Sequence, residues 1–310
     1  MFKRHEVGKP INKLEEEQSR EPLAIVIIDL ARHSTKTDND AQDEKVPLSS
    51  EGVKKVIKSG QENELRDETN IQTSSDNFPR IFDSGRDRTG QASFLRMFAE
   101  RFKDVDLTNV GPQELLEWFK QSGLEVISSR LLDFHVEEGE YKDKFYEAYY
   151  AKELMKFMVE KSDEFAIQSK VKSAENSTLS TSAGNIATFV YLLGKGKAAE
   201  LLSNDSDSKV NIDFATSHQT VLESFLYKAV LLNRGEEDAH KFLQEMGPQG
   251  FEENQGFQIE YQVFDDKGED WVIKINFSGE EYELNEEDLV KIIHQGEEVR
   301  DKIRQQNLQE

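Results

Sequence analysis

The chain has 310 residues, 36% of them apolar and 32% charged, and its formal net charge at pH 7 is −22. That charge disfavours nucleic acids and membrane surfaces as partners, because both are recognised by basic protein surfaces. The absence of cysteine excludes disulfides, thiolate nucleophiles and cysteine metal sites, while the length allows one large α/β domain or a domain with a modest appendage.

Residues 1–21 form a polar leader that lacks the apolar core of a signal peptide. The longest apolar run, LAIVIIDLA, is too short to span a bilayer and is typical of a buried strand. These features predict a soluble cytoplasmic protein.

The first predicted elements alternate between strands and helices. The β-branched run Leu23–Asp29 predicts a strand in the middle of a parallel sheet. Ser49 is a capping residue ahead of the helical pattern GVKKVIKSGQENEL. A short strand at Arg80–Asp83 precedes a helix that starts near Asp87, with apolar residues on one face.

The alternation continues through the middle of the chain. Further helices are predicted at Gln113–Ser122, at Tyr141–Lys161, within Asn176–Leu202 and after His218, and further strands at Leu124–Ser128 and Val210–Thr216. The aromatic cluster FYEAYY in the second of these helices has the spacing of core residues, and the alternative is a platform for substrate. This order predicts an α/β fold, a mostly parallel sheet with helices on both faces.

The pattern changes after Pro248. FQIEYQVF and WVIKINF alternate in polarity and are separated by DDKGED, which indicates a β-hairpin. A short YEL segment and an amphipathic helix at Glu286–Gln305 follow. We therefore divide the chain into the leader, a main domain at 22–249 and a C-terminal hairpin-and-helix appendage at 250–310. The appendage is expected to protect a sheet edge, or to form the contact of a homodimer.

Three segments that contain histidine or arginine each follow a predicted strand. They are ARHSTKTDN, DSGRDRTGQ and TSHQT. In an open α/β sheet, ligands bind at the edge where the carboxyl ends of the strands lie. The three segments therefore predict one site that contains two histidines and three arginines.

These residue types suit a phosphate monoester. Arginine carries a permanent charge and a fork of donors, so Arg32 and Arg88 are the expected phosphate clamps and Arg86 is a third candidate. A neutral imidazole, that of His33, could attack phosphorus and carry the phosphoryl group. His218 could donate to the equatorial oxygens.

The segments resemble the motifs of the histidine phosphatase (phosphoglycerate mutase-like) superfamily. ARHSTKTDN is similar to R-H-G-(E/Q)-(S/T)-x-x-N, LSSEG to L-(T/S)-x-x-G, DSGRDRTGQA to S-S-x-x-x-R-A-x-Q-T, and SHQTVLESFL to S-H-(G/Q) before an apolar helix. The resemblance spans residues 22–235. It implies that His33 is phosphorylated, that Arg32, Arg88 and His218 surround the phosphoryl group, and that Asn39 supports it. It also implies that neither a metal nor a cofactor is required.

The chain departs from these motifs at a few positions. Ser34 and Thr35 replace the usual glycine and acidic or amide residue, and Ala92 stands where the arginine motif ends in threonine. The proton donor implied by the resemblance is Asp133, with Glu137 as the alternative.

The expected activity is metal-independent hydrolysis of a phosphomonoester, on a small molecule or a peptide, through a phosphohistidine on His33. Two alternatives stay open. One is a mutase of the same fold, which is less favoured because the loops offer no obvious basic residues for a second anionic group. The other is a catalytically weak relative that binds phosphate ligands for regulation.

Overall fold

The computed structural model describes residues 20–34, 48–61, 80–99, 126–169, 174–204 and 209–308, together with residues 114, 117 and 121. Within these ranges the strands are β1 (Ala24–Arg32), β2 (Ile81–Asp83), β3 (Val126–Ser128), β4 (Val210–Ser217), β5 (Gly256–Val263), β6 (Trp271–Phe277) and β7 (Glu280–Leu284). The helices are α1 (Ser50–Gln61), α2 (Asp87–Met97), α3 (Glu140–Tyr150), α4 (Leu154–Glu160), α5 (Ser162–Gln168), α6 (Leu179–Ser203), α7 (Val221–Arg234), α8 (Glu236–Met246) and α9 (Glu286–Leu308). No helix in this part of the chain is long and apolar enough to cross a membrane.

All seven strands belong to one sheet, in the order β3-β2-β4-β1-β5-β6-β7. The pairings among β3, β2, β4 and β1 are parallel, whereas β1–β5, β5–β6 and β6–β7 are antiparallel. The chain is thus α/β, as predicted, but the sheet is mixed. The prediction of a mostly parallel sheet holds only for the half that contains the first four strands.

The C-terminal hairpin is part of the central sheet and not an appendage to it. Every residue of β1 from Ala24 to Ala31 has a partner in β5, from Val263 to Gly256. β1 lies between β4 and β5, so hydrogen-bonded strands cover both of its edges. The sheet therefore continues across the predicted boundary at 249/250.

The two faces of the sheet bury separate clusters, because neighbouring side chains in a strand point to opposite faces. Val26 and Ile28 of β1 pack with residues of α6 and α7. Ile27, between them, packs with residues of α1 and α2. Helices therefore cover both faces of the sheet, as the sequence predicts, and the strand ends are left for the site.

The predicted helix at Tyr141–Lys161 is instead two short helices, α3 and α4, and α5 follows directly after it. Lys152 has a positive φ of 58°, which ends α3, and Ser162 donates its hydroxyl to the Met158 carbonyl at 2.6 Å where α4 gives way to α5. α8 was not predicted. The predicted helix at Gln113–Ser122 lies largely outside the described residues, although residues 114, 117 and 121 are helical.

Candidate active site

The three motif segments meet at the carboxyl ends of β1, β2 and β4. Because these strands are parallel and adjacent through β4, the residues that follow them emerge on the same edge. The backbone N–H of His33 donates to the Ser217 carbonyl at 3.1 Å, which extends the β1–β4 pairing by one residue. The site is therefore built on interior strands of the sheet.

His33 is held in one tautomer by its neighbours. Its Nδ1 lies 2.7 Å from the Ser34 carbonyl, which can only accept, so Nδ1 carries the proton. Its Nε2 accepts from Nε of Arg88 at 3.4 Å. Burial lowers the pKa of His33 to about 3, and the charge of Arg88 contributes to the shift. The ring is thus neutral at physiological pH, with its lone pair directed at an arginine.

The three predicted arginines all surround His33. The nearby positive charges of Arg88, Arg32 and Arg86 each help to lower its pKa. Arg88 lies in the first turn of α2 and is buried. Arg32 ends β1, and its Nη1 donates to the carbonyl of Phe251. Three guanidinium groups around one imidazole form a strongly cationic pocket in a chain of high negative charge.

The second histidine lies beside the first. The rings of His33 and His218 meet edge to face, with their centroids 5.1 Å apart. His218 is buried, and this burial lowers its pKa well below the usual range, with the charges of His33 and Arg86 adding to the effect. Both imidazoles are therefore uncharged at pH 7.

A chain of hydroxyl groups orients His218. Thr89 donates to the Arg86 carbonyl at 2.7 Å, so its oxygen is left to accept from Ser84 at 3.1 Å. Ser84 in turn accepts from Nε2 of His218 at 2.8 Å. Since each hydroxyl has one proton to donate, this order places the His218 proton on Nε2.

Asp133 reaches the site, as predicted, and is bound by Arg86. Its Oδ1 lies 2.9 Å from Nη2 of Arg86 and 3.6 Å from Nε2 of His218. Arg86 also donates to the Phe134 carbonyl at 2.7 Å, so it fixes the whole segment. Glu137 lies four residues further along, and its backbone N–H donates to Asn176 at 2.7 Å. The geometry favours Asp133 over Glu137 as the carboxylate of the site.

The other motif residues have local structural roles or fall outside the described ranges. Asn39 and Thr35 lie outside them. Gln91 is buried, and its side-chain oxygen accepts from the Leu48 N–H at 2.9 Å, ahead of α1. Ser34 is buried and accepts from the side-chain amide of Asn254 at 3.2 Å.

A groove of about 890 Å³ adjoins Arg32. One wall is α1, with Lys55, Lys58 and Ser59, and the other is the loop from Met246 to Gln255. Lys55 is bound to Glu253 at 3.0 Å across this groove. The groove is within the size range of pockets that bind small molecules.

Two residues of this region, Ser84 and Glu223, were not among the predicted site residues. Ser84 directly follows β2, so the rule that placed Arg88 at the sheet edge could also have found it. Glu223 lies on the buried face of α7 and is fully buried. A carboxylate inside the apolar pattern VLESFLYKAVLL was the available signal. Among the described residues, no three His, Asp or Glu side chains are grouped so as to bind a metal ion.

No family model matches the chain, and no curated protein matches it either. Several solved structures do. A phosphoglycerate mutase from Bacillus anthracis str. Sterne is 15% identical, with 88% of this chain and 97% of that chain covered and a TM-score of 0.45. A mycobacterial glucosyl-3-phosphoglycerate phosphatase is 10% identical, with 80% and 95% covered and a TM-score of 0.38. A phosphoglycerate mutase from Plasmodium falciparum is 13% identical, with 84% and 97% covered and a TM-score of 0.27.

Proposed function

We propose that this chain is a phosphomonoester hydrolase of the histidine phosphatase type, acting on a small molecule or a peptide without a metal ion. The observation that carries the proposal is the state of His33. Its Nε2 bears a lone pair, faces Arg88 and lies beside the ring of His218. A nucleophile must be unprotonated, and a phosphate dianion needs fixed positive charge, so this arrangement serves both requirements.

The mechanism assigns one role to each group. Nε2 of His33 attacks phosphorus, and the bond to the leaving oxygen breaks in line with the new N–P bond. Arg32 and Arg88 hold the phosphoryl oxygens and the charge that develops on them, and the neutral His218 donates a hydrogen bond to one of them. Asp133 in its protonated form gives its proton to the leaving oxygen. As a carboxylate it then takes a proton from a water whose oxygen attacks phosphorus, while the N–P bond breaks, the electron pair returns to Nε2 of His33 and phosphate is released. Arg86 holds Asp133 in position.

The test is turnover of an aryl phosphate in the presence of a chelator. We expect the wild type to be active and His33→Ala to lose at least about 10³-fold in kcat, because the covalent path is removed. His240→Ala is the matched control, since His240 is exposed and its Nδ1 is hydrogen-bonded within its own helix, to the Glu236 carbonyl. Phosphorus NMR of the rapidly quenched enzyme should show a phosphoramidate signal that is absent from His33→Ala. Equal activity of the wild type and His33→Ala would overturn the proposal, and an inactive wild type would favour a regulatory phosphate-binding role.

A mutase is the second candidate, and one observation favours it. Lys55 and Lys58 lie on α1 in the groove that Arg32 borders, where they could hold a second anionic group. Both lysines lie on a helix and not in the loops, which offer no obvious basic residues for this role. Partition of the phosphoryl group between water and an added acceptor alcohol separates the two activities, since a mutase would favour the alcohol.

A further inference from the structure

Glu223 is a buried carboxylate that the proposed mechanism does not use. It lies in the first turn of α7, five residues after His218, and is fully buried. Burying a carboxylate is costly unless hydrogen bonds or opposite charge compensate it. A hydrogen-bond partner must therefore compensate for the burial of Glu223.

That partner is the backbone of Phe251. Oε1 of Glu223 accepts the Phe251 N–H at 2.8 Å, and the Phe251 carbonyl accepts from Nη1 of Arg32. One residue thus joins the carboxylate to the guanidinium through its two peptide groups. The Phe251 ring is itself fixed, because it stacks on Phe277 with a centroid distance of 5.3 Å and meets Phe257 at 6.1 Å.

The loop fits closely around this carboxylate. Gly250 has a φ of +82°, and a Cβ at that position would come within 2.6 Å of Oε1 of Glu223. On the other side of Phe251, the Gln255 carbonyl accepts the Arg32 backbone N–H at 2.9 Å. Arg32 is therefore held by the loop through both its main chain and its side chain.

Among the described residues, one side-chain atom of Arg32 and one of Glu223 have no hydrogen-bond partner. These atoms are Nε of Arg32 and Oε2 of Glu223, and both are buried. A phosphate oxygen is a strong acceptor for a guanidinium N–H. An Arg32 whose Nη1 is occupied by Phe251 keeps Nε for such a ligand.

We propose that Glu223 is a positioning residue for the phosphate clamp: acting through Phe251, it fixes the direction of the Arg32 guanidinium without touching the phosphate. This inference rests on the proposed function to the extent that Arg32 binds phosphate. Positioning matters because an oriented donor strengthens binding far more than one that must find its geometry on contact.

The test is the affinity for inorganic phosphate, measured by calorimetry, which requires no turnover. Glu223→Ala should weaken binding about tenfold, because Arg32 loses its orientation. Glu223→Gln keeps an oxygen for the Phe251 N–H and should lose no more than about twofold. Ser224→Ala is the matched control, because the Ser224 hydroxyl donates to Thr220 within the same helix at 2.5 Å. Circular dichroism checks that each variant folds. If the alanine variant does not fold, Glu223→Asp replaces it, since it withdraws the carboxylate by one methylene.

A double-mutant cycle with Arg32→Lys shows whether the effect passes through Arg32. Lysine lacks the guanidinium fork, so adding Glu223→Ala to it should cause no further loss of phosphate affinity. A full additional loss in that background, an equal loss in Ser224→Ala, or no loss in Glu223→Ala would overturn the proposal. A wild type that does not bind phosphate at all would overturn it as well. A wild type that binds phosphate but hydrolyses no ester would contradict the proposed function alone.

Discussion

Nε of Arg88 lies 3.4 Å from Nε2 of His33, on the side of the imidazole opposite to the Nδ1–H that donates to Ser34. The backbone thus sets the tautomer, and the arginine faces the lone pair that would attack phosphorus. The lone pair of His33 therefore accepts from the guanidinium of Arg88. A phosphate dianion placed between them would engage both.

We therefore expect Arg88→Gln to change both the pKa of His33 and the rate of phosphate-ester turnover. The pKa of His33 should rise from about 3 but stay below 6.5, because burial is its largest cause and the charge of Arg88 the second. Turnover of an aryl phosphate should fall about 10²–10³-fold, since a fixed charge on the transferred group is lost. NMR titration of the His33 ring and steady-state kinetics measure the two effects. Arg130→Gln, at an exposed arginine near the same edge, is the control. A His33 pKa that does not move would show that Arg88 and His33 are not coupled.

The position of the site could be predicted because it depends on local features. Each motif directly follows a strand, and parallel strands bring their carboxyl ends to one edge, so His33, Arg88 and His218 could be placed together without knowing the strand order. The sequence around Ser34 and Thr35 did not indicate what these two side chains contact. Ser34 is bound to Asn254, which is 220 residues away in the chain, and no local pattern reveals that contact.

The mixed sheet could not be predicted from periodicity alone. Alternating strands identify a hairpin, but not the strand that it pairs with. One clue was present: β1 was predicted to lie in the middle of the sheet, so it needed a neighbouring strand at each of its two edges. The break at Lys152 left no such clue, because YYAKELMK has no glycine or proline, although Lys152 has a positive φ and the Glu153 N–H donates to the Ala148 carbonyl at the end of the helix.

Replacing the candidate acid should affect substrates according to their leaving groups. Asp133→Asn removes the proton that a poor leaving group needs, so kcat on an alkyl phosphate should fall about 10²–10⁴-fold. A nitrophenolate departs without protonation, so the loss on a nitrophenyl ester should be at least about tenfold smaller. The kcat values on the two esters are compared for Asp133→Asn and for Glu137→Gln, which removes the alternative acid. If Glu137→Gln shows the leaving-group dependence and Asp133→Asn does not, the assignment must be reversed.

The stability of the protein should depend on pH through Glu223. Burial raises its pKa to about 7, against 4.5 for the free group. A raised pKa means that the stabilising contribution is fully present below pH 4.5 and is lost as the pH rises through 7. Glutamine does not titrate, so the free energy of unfolding of Glu223→Gln relative to the wild type should increase by up to about 3 kcal/mol between pH 5 and pH 8.

Urea unfolding of both proteins at the two pH values measures this difference. The contributions of the buried histidines cancel, because both proteins share them. Ser224→Ala lies next to Glu223 and removes no titrating group, so its difference from the wild type should not change with pH. A Glu223→Gln difference that is equally independent of pH would show that the pKa of Glu223 is not raised.

The C-terminal helix α9 packs against α6 at a close crossing between two glycines. A Cβ on Gly296 would lie 2.8 Å from the Ser180 carbonyl and one on Gly184 would lie 3.3 Å from the Cα of Gly296. Backbones can approach this closely only where a side chain is missing, so Gly296→Ala should force the helices apart and cost about 1–3 kcal/mol of stability. Gly196→Ala, also on α6 but with open space around its Cβ, should stabilise the protein by about 0.5–1 kcal/mol through helix propensity. Thermal unfolding of the two variants measures both effects. Opposite signs would show that the packing of α9 on α6 is integral to the fold, and a neutral Gly296→Ala would show that this crossing contributes little to it.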